Sequence, residues 1–281
     1  MKRVMVYAVA LLFLQSLQAQ QSFMSERLSK KWETPAQFKV PESVCYDPAR
    51  NVIYVSNISG TAGEKDGNGF ISKVSPEGQI ISLEWVTSLN SPLGMGISGD
   101  FLYVSDIDRV VKIDIVKGKV TGETAIPGAT LLNDVATGKD GTIYVSDSRG
   151  NALYKIANGK QELLVKSDKL NGPNGLYVDG NRLLAGLKDR MISIDLKTHE
   201  ISDNISNTGG IDGIAPDGNG SYLISDWGGN VHLVNAGQPK VRLLDTTPQK
   251  INAADIDYVI SKKLLLVPTF NDNRVMAYEL K

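Results

Sequence analysis

Cysteine and histidine are the scarcest reactive side chains in this 281-residue sequence. Cys45 is the only cysteine, and His199 and His232 are the only histidines. One cysteine excludes an intramolecular disulfide. Cys45 has no base near it in sequence and reads as a small buried residue on a strand. His199 falls in a polar turn and His232 in a strand-like run, so neither suggests imidazole catalysis. An excess of one charge is also missing, with 30 Lys and Arg against 31 Asp and Glu. That balance excludes a global basic field for nucleic acid and an acidic tail. Long amphipathic helical stretches are absent, which leaves an all-β chain. Long apolar runs are limited to residues 4–14, preceded by Lys2 and Arg3 and closed by Gln15 and Gln18, with Ala19 as a small residue at a cleavage point. Residues 1–19 therefore read as a secretory signal peptide, shorter than the roughly 20 apolar residues of a membrane span. The expected location is the periplasm or the outside of the cell, with no stable membrane insertion after cleavage.

What the sequence does contain is a repeat. β-branched and aromatic runs, most of them closed by a small or polar cluster, are centred on Tyr54, Tyr103, Tyr144, Leu184, Leu223 and Leu265. Their spacing of roughly 40 to 50 residues is that of propeller blades built from four short strands. An alternating run follows each marker, such as Val110-Val111-Lys112-Ile113, and period-two alternation marks a strand. Most of these runs end in a polar turn, and many of the 27 glycines sit in pairs with Asp or Asn, which is turn chemistry. The reading is a six-bladed β-propeller over residues 36–281, after a partly irregular segment at 20–35. The last unit stops one strand short. Residues 31–40 would supply that strand, because a ring closed by the N-terminal segment leaves no open sheet edge. The Gly-rich loop at 57–69 is long for a hairpin and reads as a surface connection or as a lid over one mouth of the ring.

Aligned on the marker strands, the segments preceding them place one equivalent residue in each blade: Glu42, Leu93, Asn133, Asn174, Asp212 and Ala254. The next position holds Ser43, Gly94, Asp134, Gly175, Gly213 and Asp255. Innermost propeller strands converge on a central channel, so these residues form a ring. Carboxylates brought together there would repel one another and lose water, and a divalent cation removes that conflict. Oxygen donors without thiolate or imidazole favour Ca2+, with Mg2+, Mn2+ or Zn2+ as alternatives. A single Asn-Gly or Asp-Gly is more often a turn; recurrence in the same place of separate repeats is what points to a site. Asp106, Asp147 and Asp226 end marker strands and read as turn caps.

The motifs Pro41-Glu42-Ser43-Val44, Leu132-Asn133-Asp134-Val135, Gly172-Pro173-Asn174-Gly175-Leu176 and Ile211-Asp212-Gly213-Ile214 resemble those of the regucalcin, gluconolactonase and luciferin-regenerating enzyme family. The resemblance spans about residues 36–281. It implies a six-bladed propeller with one divalent cation in its channel, held by Glu42, Asn174 and Asp212, with Asn133 a ligand or close neighbour. It also implies a metal-dependent hydrolase acting on a lactone, a small-molecule substrate. In such an enzyme Asp212 or Asp134 would take the proton of the attacking water. Two positions depart from the family pattern. Leu131 stands where sugar-lactone hydrolases often carry Arg, and Ile211 stands where Pro is usual. The competing reading is a non-catalytic propeller that binds a ligand or partner in the cell envelope, its mouth made partly apolar by Leu93, Leu131 and Ala254.

Overall fold

The structure is a computed structural model that describes residues 23–281. The expected signal peptide at 1–19 lies outside the described residues. Two short strands come first, β1 (Phe23–Met24) and β2 (Leu28–Glu33). Blade one contains β3 (Pro41–Asp47), β4 (Val52–Asn57), β5 (Gly69–Val74) and β6 (Ile80–Leu89). Blade two contains β7 (Pro92–Ser98), β8 (Phe101–Asp106), β9 (Arg109–Asp114) and β10 (Lys119–Ala125). Blade three contains β11 (Leu132–Thr137), β12 (Ile143–Asp147), β13 (Ala152–Ala157) and β14 (Lys160–Lys166). Blade four contains β15 (Leu176–Asp179), β16 (Arg182–Gly186), β17 (Arg190–Asp195) and β18 (Ile201–Ser206). Blade five contains β19 (Ile214–Pro216), β20 (Tyr222–Ser225), β21 (Asn230–Val234) and β22 (Val241–Asp245), with β1 on its outer edge. Blade six contains β23 (Asp257–Val259), β24 (Leu264–Pro268) and β25 (Val275–Leu280), completed by β2. All strands within a blade are antiparallel, and no α-helix occurs among the described residues.

The propeller is all-β, six-bladed and closed by an N-terminal strand. That strand is β2, which runs at residues 28–33 and overlaps only the start of the 31–40 stretch expected for it. The physical reason lies in the residues. Leu28 and Trp32 give β2 apolar side chains that join the cores blade six shares with blades five and one, whereas Pro35 interrupts the later stretch. Closure is reinforced at the axis, where Ser43 of β3 bridges Asp255 in parallel and the Asp255 N–H donates to the Glu42 carbonyl at 2.9 Å.

The core is a ring of six interfaces. Each large apolar cluster takes one face from each of two neighbouring blades, as where Tyr54 and Ile71 of blade one meet Leu102 and Ile113 of blade two. Period-two alternation lets every strand feed both of its neighbours. Each fully buried Leu, Ile or Val contributes about 1.5–3 kcal/mol, so the blades are held mainly by packing on one another. Among the described residues, no helix is long and apolar enough to cross a membrane.

Candidate metal and substrate site in the channel

A recurring backbone device builds the ring. The innermost strands of blades one, two and three break register at Pro41/Val44, Pro92/Met95 and Leu132/Val135. Two residues there face one on the partner strand, which aims a side chain along the channel. The marker serine fills the gap: Ser56, Ser146 and Ser225 Oγ accept the N–H groups of Ser43, Asp134 and Gly213, each at 2.9 Å. Ser225 Oγ also donates to the Ala254 carbonyl at 2.6 Å, and Ser105 Oγ donates to the Asn133 carbonyl, tying one blade to the next. The small residues at the following position make room. A Cβ on Gly94 would lie 2.4 Å from Asp134 Oδ1, and one on Gly175 would lie 2.4 Å from the Asp212 carbonyl oxygen. Gly175 and Gly213 thus serve close blade approach, and neither adopts positive φ.

Asn133, Asn174 and Asp212 line one cavity of about 360 Å³ at a channel mouth. Asn174 Nδ2 donates to Asp212 Oδ1 at 2.6 Å, which turns the Asn174 carbonyl oxygen away from the donor. Among the described residues, six buried side-chain N or O atoms have no hydrogen-bond partner. Glu42 Oε2, Asn174 Oδ1 and Asp212 Oδ2 are three of them, and Ser148 Oγ is a fourth; Asn174, Asp212 and Ser148 line the mouth cavity, and Glu42 is not among its lining residues. Leaving such an atom dry and unpaired costs about 1–3 kcal/mol, and three of the six sit on ring residues. Burial, then the charges of Asp212 and Asp134, push the Glu42 carboxyl well above the usual carboxylate range. Burial pushes Asp212 up to about 7; the Asn174 hydrogen bond opposes the rise, and the Asp134 and Asp226 charges add to it. These shifts are the mark of carboxylates crowded without a counter-charge. Glu42, Asn133, Asn174 and Asp212 each carry a side-chain oxygen, a donor type that would fit a hard divalent cation. Among the described residues no group of three or more His, Cys, Asp or Glu is arranged to hold a metal, so a cation here would depend on the two amides.

Asp134 stands apart from this group. It lines a separate cavity of about 380 Å³, together with Asp255 and Asp257. Its Oδ1 accepts the Val135 N–H at 2.6 Å and its Oδ2 accepts the Leu176 N–H at 2.5 Å, joining blades three and four. Burial raises its carboxyl to about 7, against the lowering effect of those N–H groups. Asp255 is joined in the same way to blade one, by the Ser43 hydroxyl at 2.5 Å.

The ring positions of blades two and six carry no oxygen donor. Leu93 packs with Ile58 and Leu131, flanked by Val40 and Phe270. Val40 and Phe270 sit at φ 55 and 48, a region that costs a non-glycine residue about 1–2 kcal/mol. The apolar patch is thus held by strained backbone beside the donors. Ala254 is fully buried.

Neither a family model nor a curated protein matches the chain in sequence. Solved structures do match in shape. A gluconolactonase from Xanthomonas campestris has a TM-score of 0.68 at 15% identity, covering 90% of this chain and 89% of its own. A putative gluconolactonase has a TM-score of 0.66 at 16% identity, covering 90% and 91%. The fold is that of the gluconolactonases. It is shared more widely: a catalytically inactive virginiamycin B lyase from Staphylococcus aureus, solved with quinupristin, has a TM-score of 0.64 at 12% identity, covering 93% and 100%.

In this gluconolactonase-like propeller the two histidines lie away from the mouth. His199 is in a turn with φ 61, and His232 is on β21. The capping aspartates close turns: Asp147 accepts the N–H groups of Thr130, Leu131 and Gly150, each at 2.9 Å. Asp226 likewise accepts those of Gly229 and Asn230. Sequence reading missed Ser148, Arg149, Lys188 and Trp227, all on the mouth. A signal for them existed. Each follows the end of a marker strand by one or two residues, and that end lies beside the start of the innermost strand.

Proposed function

We propose that the protein is a metal-dependent hydrolase of a cyclic ester, with its reaction centre at the ring of Glu42, Asn133, Asn174 and Asp212. The observation that carries this reading is the set of three unpartnered buried oxygens on Glu42, Asn174 and Asp212. A bound divalent cation would supply Lewis-acid polarisation of the lactone carbonyl. The chain's own residues do the rest. Asn174 holds Asp212 through Oδ1 and leaves Oδ2 free at the cavity wall, where it accepts a proton from the attacking water. Water adds to the carbonyl carbon, the ring C–O bond breaks, and the proton passes to the departing ring oxygen, giving a hydroxy acid. Leu93 and Leu131 bar water from one flank. Asp134, with both oxygens taken by backbone donors, fits a positioning role better than that of the base.

The test is elemental analysis of the purified protein paired with hydrolysis of a broad lactone panel, before and after chelation. Bound cation and chelator-sensitive cleavage support the proposal. A metal-free protein whose melting temperature ignores chelator, and which cleaves no lactone, would favour the binding-only propeller. The apolar patch at Ile58, Leu93 and Leu131 suits that alternative too.

A further inference from the structure

The mouth carries two cations without partners. Among the described arginines, Arg50, Arg109, Arg182, Arg190, Arg242 and Arg274 pair with a carboxylate, and Arg27 and Arg149 do not. Arg149 and Lys188 line the mouth cavity, and among the described residues neither has an ion pair or side-chain hydrogen bond within the structure. The Lys188 stem lies over Gly172, where an added Cβ would meet Cε at 2.9 Å. Arg149 stands beside the long loop, its Nη1 4.0 Å from where a Gly63 Cβ would be.

The rest of the wall is apolar. Leu131, Leu187 and Ile211 are buried on it, while Trp227 is 51% exposed and meets Phe270 edge-on with ring centroids 5.5 Å apart. A tryptophan left half in water at a cavity rim offers a flat apolar face to a ligand. The cavity is at the small end of ligand pockets, which run to roughly 300–1,000 Å³. Charge completes the picture. A dication would balance Glu42 and Asp212, leaving Arg149 and Lys188 against Asp226 alone, and Asp226 is already held by backbone N–H groups. Arg149 stands on the β12–β13 turn.

We propose that the ligand of this site is a carboxylate-bearing lactone with a flat apolar ring system, its carboxylate held by Arg149 and Lys188 and its ring laid on Trp227. This rests on the reading of the channel as a lactone site and narrows its substrate class. Arg offers a planar fork matched to a carboxylate, and Lys adds a mobile point charge.

The test separates binding from turnover. Calorimetry at low salt in the presence of calcium compares two non-hydrolysable lactams, 3,4-dihydroquinolin-2-one and its 6-carboxylate. The expected result is about tenfold tighter binding of the carboxylate, a gap that narrows as salt is raised. In an Arg149→Gln, Lys188→Gln double variant the gap closes while the neutral lactam binds as before. A Trp227→Ala variant weakens both lactams. Equal affinity for the two compounds, no binding of either, or a preference that survives in the double variant overturns the proposal. Selective binding of the carboxylate with no lactone cleaved would uphold it while sinking the hydrolase reading.

Discussion

Asp212 answers to two demands: it is buried, and it is a carboxylate set near other carboxylates. Without a cation its carboxyl is raised from the ordinary 3.8 to about 7. A raised carboxyl keeps its proton in the folded state, so between those values the folded protein holds more protons than the unfolded chain. Stability therefore falls as pH rises through that window. In chelator, the melting temperature should decline from about pH 4 to about pH 7, and Asp212→Asn should flatten the decline. A chelated protein that grows more stable over that range would contradict the site. Calcium should raise the melting temperature more at the upper end, because protons compete with the cation for the same oxygens. Asp212→Ala should abolish lactone cleavage. Its comparison variant should be Asp203→Asn, since Asp203 is an exposed partner of Arg190 on β18. Asp147 is unsuitable for that purpose: Asp147→Ala would strand three backbone N–H groups and should cost roughly 2–4 kcal/mol in urea unfolding.

Between residue and ring stands the innermost strand, whose register break sets where each side chain points. Asn133 and Asp134 are neighbours in sequence, yet they line different cavities, because both sit within the Leu132/Val135 break opposite Ser146. Gly175 matters at the same scale. A Cβ there would lie 2.4 Å from a backbone oxygen of Asp212, and backbone does not yield cheaply. Gly175→Ala should therefore displace the Asp212 segment, weakening calcium binding by about tenfold and lowering stability by roughly 1–3 kcal/mol. Unchanged calcium affinity by calorimetry would show that blades four and five can part without disturbing the site.

At the scale of the molecule, the ring holds because blade six borrows a strand from the start of the chain. Removal of residues 1–33 would expose the edge of β25 and strip Leu28 and Trp32 from two of the inter-blade cores. The truncated chain should melt more than 10 °C lower, a shift on the order of a few kcal/mol for a domain of this size, and should associate through the open edge. Light scattering and thermal unfolding read both effects. A truncated monomer with an unchanged melting temperature would mean that the axial bridge between Ser43 and Asp255 closes the ring without help.

The six repeats, the ring position and the oxygen-bearing residues in it were legible in the sequence because each follows from local periodicity. Strand alternation and marker spacing are written in neighbouring residues, and six copies make a weak signal readable. The apolar filling of the ring by Leu93 and Ala254 was legible for the same reason. Tertiary structure alone decided the rest. It separated Asp134 from Asn133, since a register break redirects side chains without changing residue order. It showed which oxygens are left unpartnered, because that depends on Asn174 meeting Asp212 across 38 positions. It also brought Arg149, Lys188 and Trp227 to the mouth from three blades, a convergence set by ring closure, which no local pattern records.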